Sequence, residues 1–68
     1  MEKSAYSRLD NALAELEKLP DDTDRYVKRL VLTARLVIGA AMEELENNHP
    51  FSDHLITMAR SELRNLDA

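Results

Sequence analysis

Apolar residues recur every three or four positions along most of the chain, the spacing that places them on one face of an α-helix. Ala5, Tyr6, Leu9, Ala12, Leu13, Leu16 and Leu19 form one such series. A second occupies Thr23–Asn47, and a third holds Leu55, Ile56, Ala59, Leu63 and Leu66, with Met58 at its margin. Pro20 and Pro50, each inside a polar cluster, separate the three, because a proline pushes the residue before it away from helical geometry. The pattern predicts helices over residues 4–19, 23–47 and 52–66. Asp21 to Thr23 offer caps for the second helix, and Ser52 caps the third, with Phe51 stapled onto Ile56.

The central segment departs from ordinary amphipathicity. Leu30–Met42 contains a single charge, Arg35, in a chain where charged residues make up 32%. At about 100° per residue, Leu30, Val31, Ala34, Val37, Ile38, Ala41 and Met42 fill one broad face. Leu32, Leu36 and Ala40 cover much of the other, leaving a narrow strip through Lys28, Arg35, Gly39 and Glu46. A helix apolar on nearly all sides has to be buried. Short connections predict that successive helices fold back on one another. Charge agrees for the first pair: Lys3 and Arg8 are early and Glu15 and Glu17 late in helix one, while Arg25, Lys28 and Arg29 are early and Glu43, Glu44 and Glu46 late in helix two. The expected fold is all-α, a single domain over residues 1–68. It is a three-helix antiparallel bundle, or helical hairpin, with a long central helix.

Size adds a constraint. A chain of 68 residues buries only about 60% of its unfolded surface and is marginal alone. With no cysteine, disulfides are excluded, and association becomes the expected remedy. A homodimer through the central helix follows, using Leu30, Leu32, Ala34, Leu36, Val37, Gly39, Ala40 and Ala41; there the small residues permit close approach, and Arg25 and Arg29 approach Glu43 and Glu44 of the other copy. The alternative use of those small residues is to receive large side chains from helices one and three. Phe51, Leu55 and Met58 form a further candidate edge for a protein partner, or part of the core.

Candidate chemistry is sparse. His49, Asp53 and His54 are sound metal-ligand types, but they straddle a helix start without a familiar zinc spacing. Glu46 and His49 have the E-x-x-H spacing of di-metal bundles, yet stand at a helix end. No metal or cofactor site is therefore assigned. With no cysteine nucleophile, no glycine-rich phosphate loop and no serine paired with a base, no catalytic residues are assigned and an enzyme is not expected.

A net charge of −4 argues against a broad nucleic-acid surface, and no segment reaches the roughly 20 apolar residues that span a bilayer. The expected role is a cytoplasmic protein–protein interaction module, an adaptor, chaperone, inhibitor or modulator, acting as a homodimer with a protein partner. The competing expectation is a small dimeric DNA-binding regulator that sets Arg25, Lys28 and Arg29 on phosphates.

Overall fold

The computed structural model describes the backbone of residues 2–67 and the side chains of residues 4–66. Among the described residues it is all-helical, with three helices and no strand: α1 (Glu2–Leu16), α2 (Arg25–Leu45) and α3 (His49–Asp67).

The helix ends are set by local chemistry. After Leu16, the amides of Glu17 and Lys18 donate to Leu13 and Glu15, and the chain leaves the helix three residues before the expected Leu19. Asp24, rather than Asp21 to Thr23, caps α2: its carboxylate accepts from the amides of Tyr26 at 2.9 Å and Val27 at 3.2 Å. At the far end, Asn48 N–H donates to Glu43 C=O and Asn47 N–H to Glu44 C=O. That pair of bonds is a Schellman cap, with Asn47 supplying the left-handed residue at φ 60°. The largest correction concerns α3, which begins at His49 and not at Ser52. Pro50 fits the first turn of a helix, where no amide partner is lost. Ser52 is consequently not a cap; it is buried at 4% exposure. Phe51 lies inside the first turn, 46% exposed, with its ring stacked 6.0 Å from that of His54.

The start of α1 meets the end of α2, where Tyr6 lies beside Glu46, and Glu17 bonds Arg35 at 3.2 Å. Lys3, expected to face the acidic end of α2, has its side chain outside the described residues. α3 packs along a different side of α2, with Leu55 against Gly39 near one end and Glu62 3.9 Å from Arg29 near the other. Among the described residues no Cα of α1 comes within 8 Å of a Cα of α3.

The outcome is a single layer. The fold measures 36 × 24 × 11 Å. Three helices side by side at about 9 Å spacing need about 23 Å of width, so α2 is the middle of a row and not the centre of a closed bundle. The radius of gyration is 13.0 Å, against about 11 Å for a compact domain of this length. The accessible surface of 5235 Å² likewise exceeds the roughly 4,400 Å² expected for its mass. Domains ordinarily bury their apolar faces between two layers; this chain supplies one.

Between α2 and α3 the buried side chains are small. Thr33 and Ala40 on α2, and Ser52 and Ala59 on α3, are each at most 5% exposed, and each pair is seven residues apart. Such a seam permits close approach of the two backbones. Gly39 lies beside it; a Cβ there would meet Leu55 Cδ1 at 3.4 Å, ordinary contact rather than a clash. Gly39→Ala is therefore expected to stabilise the fold by up to about 1 kcal/mol through helix propensity, read as a higher urea midpoint. A lower midpoint would mean that α3 sits closer to Gly39 than this geometry allows.

Candidate interaction surface

Successive residues of α2 turn by about 100°, and the contacts sort its faces. Arg29 and Gly39 contact α3, and Thr33 and Ala40, buried, share that side by helical spacing; Val31 and Arg35 line a groove with Leu16 and Glu17, and Ile38 and Met42, seven residues on from each, share that side. The remaining side, perpendicular to the layer, carries Val27, Leu30, Ala34, Val37 and Ala41. All five are exposed, with Val27 at 44%, Leu30 at 41% and Val37 at 46%. Their spacing alternates three and four, the repeat of a helix–helix seam. Tyr26, 49% exposed, borders it. This stripe is the surface's principal feature, and Val27 is the member that sequence reasoning missed. The alternation was present in the chain, but it was masked because almost every side of the helix is apolar.

The other expected interface residues are distributed elsewhere. Leu32 is exposed and Leu36 half-buried on the opposite side of the layer, where they line a shallow groove with Met58, Ser61 and Glu62. Gly39 lies against Leu55 of α3, and Ala40 is buried at 3% exposure. Leu55 is half-buried against Gly39, while Phe51 and Met58 remain exposed. The two faces that the helical spacing distinguishes thus lie on opposite sides of the layer, Leu30 on one and Leu32 with Leu36 on the other, so the expected interface residues do not form one surface.

The basic cluster is largely engaged internally. Lys28 Nζ donates to the Asp21 carbonyl at 2.7 Å, and Arg29 pairs with Glu62. Arg29 therefore points along the layer toward α3, away from the Leu30 stripe on which it was expected to meet a second copy. The acidic end of α2 is also answered locally. Asn48 donates to the Glu43 carboxylate at 3.0 Å, and His49 Nδ1 lies 2.6 Å from Glu44 Oε2. Among the described residues no group of three metal-ligating side chains converges, and no helix is long and apolar enough to cross a membrane.

The His49–Glu44 pair has a pH signature. Hydrogen bonding to Glu44, then its charge, raises the His49 pKa above 6.5, while hydrogen bonds from His49 and then Ser52 hold Glu44 below 4.5. The raised histidine contributes stability that is complete below pH 6.5 and lost as pH rises through the folded value; the depressed carboxylate contributes above pH 4.5 and is lost as pH falls through its folded value. The pair is fully formed between those limits, and its effect is small because both groups are exposed. A ring-proton titration is expected to place the His49 midpoint above 6.5, returning toward it in Glu44→Gln. An identical midpoint in both proteins would remove the pair. Tyr6 is also shifted upward, chiefly by the neighbouring charge of Glu46.

Comparison with protein-family models, with characterised proteins and with solved structures finds no match. The functional reading accordingly rests on the surface itself.

Proposed function

We propose that this chain is a non-enzymatic, cytoplasmic protein–protein interaction module that works as a homodimer through α2, its three helices arranged antiparallel in succession. The observation that carries this reading is the exposed apolar stripe along the middle helix of a one-layer fold. A layer without a second layer leaves its core half made, and contiguous apolar surface of this kind marks an association site. Dimerisation through the stripe leaves the opposite side of the layer free. There Phe51, Met58 and Leu32 present an apolar edge, with Phe and Met the residue types enriched at interfaces; this edge receives the protein partner. Engagement of Lys28 and Arg29 within the chain weighs against a phosphate-binding role for them.

Salt separates the two roles. Self-association through an apolar face is expected to hold from low to molar salt, with no retardation of duplex DNA. DNA binding that falls steeply with salt, and is lost in the double substitution Lys28→Glu with Arg29→Glu, would replace this proposal with the regulator.

A further inference from the structure

The stripe on α2 has an internal order of sizes: Leu30 and Val37 are large, Ala34 and Ala41 small, and they alternate. Resting on the dimer reading above, we infer that this stripe is a two-fold seam for a second copy of the chain, the two α2 helices running in opposite directions and crossing between Ala34 and Val37. In that register Leu30 seats on Ala41 of the second copy and Val37 on Ala34, so every large side chain meets a small one. Val27 meets the stem of Glu44, whose carboxylate is already held by His49. A parallel pairing sets each residue on its own copy. It crowds Leu30 and Val37 and leaves gaps between alanines, contrary to the close packing of protein interiors.

Charge on α3 points the same way. The buried line of α3 is Ser52 and Ala59. Met58 lies to one flank of it, in the groove with Leu32, so Leu63 and Arg60 lie to the other, the side of the Leu30 stripe. Asp53, Arg60 and Arg64 form an exposed row there, spaced seven and four. The contacts of Gly39 with Leu55 and of Arg29 with Glu62 place the proposed crossing level between Asp53 and Arg60 along α3. The same two-fold axis then brings Arg60 and Arg64 toward Asp53 of the second copy. The surface in excess of a compact monomer, roughly 800 Å², is about one partner's share of a standard interface.

The chain has no cysteine, so single cysteines report the register. In the proposed pairing two copies of residue 34 are about 4.5 Å apart along the helix axis, and two copies of residue 41 about 16 Å apart. Only the first is within disulfide reach, with Cα atoms needing to lie within about 7 Å. Under mild oxidation Ala34→Cys is expected to form a covalent dimer at least about tenfold faster than Ala41→Cys or Leu32→Cys. Equal cross-linking of Ala34→Cys and Ala41→Cys overturns the opposed register while leaving a dimer in place. A dimeric mass with no cross-link at residue 34 moves the dimer off this stripe and also overturns the inference. Monomeric mass with no cross-link at any of the three positions removes the dimer reading itself.

Discussion

Ala59→Leu is expected to unseat α3 from α2. Ala59 is 3% exposed, and Thr33, Ala40 and Ser52, the other side chains of α2 and α3 at 5% or less, are too small to withdraw and make room. Extra methylenes forced into a packed contact cost about 1–3 kcal/mol. A domain of this length has about 3–10 kcal/mol in total, so the substitution removes a large part of it. For a chain of this size that corresponds to a drop in melting temperature of roughly 5–20 °C. Leucine is nearly as good a helix former as alanine, which assigns the loss to packing and not to the helix. Ser61→Leu, at an exposed position of the same helix, serves as control and should melt close to the parent. An unchanged melting temperature for Ala59→Leu would show that the α2–α3 contact is looser than its small residues imply.

The second large effect concerns association. Leu30→Glu combined with Val37→Glu is expected to abolish the dimer. Both side chains are more than 40% exposed within one chain, and glutamate favours helix more than valine does, so the single layer should tolerate the change. Across the seam the double substitution removes four apolar anchors, two from each copy. At about 1.5 kcal/mol apiece the loss is roughly 6 kcal/mol, or about four orders of magnitude in the dimer constant, before the cost of placing carboxylates against alanines. Leu32→Glu, on the opposite side of the layer, should leave association unchanged. Sedimentation of the three proteins reads the difference. Dimers persisting in the Leu30 and Val37 variant would move the interface elsewhere.

The three helices were legible because Pro20 and Pro50 interrupt a spacing of threes and fours that is otherwise unbroken. Their exact ends were less so. Asn47 and Asn48 read as a break, and they are one, but Pro50, which reads as part of it, belongs equally to a first helical turn. With Pro50 in the first turn, α3 starts three residues earlier than the spacing predicts, and Ser52 is a buried contact instead of a cap. The single-layer arrangement was not legible at all. Whether α1 and α3 meet depends on which sides of α2 each takes, and a helix apolar nearly all round does not rank its sides. For the same reason the spacing distinguishes the Leu30 face from the Leu32 face without saying which of them a neighbouring helix covers. The basic cluster was visible as a charge run, but its engagement with the Asp21 carbonyl and Glu62 depends on tertiary contacts that spacing does not encode.

The proposed dimer requires that α2 in one copy be covered by α2 in another. Molar mass by light scattering after size exclusion, followed on dilution to low micromolar concentration, tests it most directly. The predicted result is a mass near twice 7.8 kDa that persists throughout the dilution. A mass of 7.8 kDa at every concentration, with the helical signal intact, would contradict it: the layer would then be stable with its central stripe open to water.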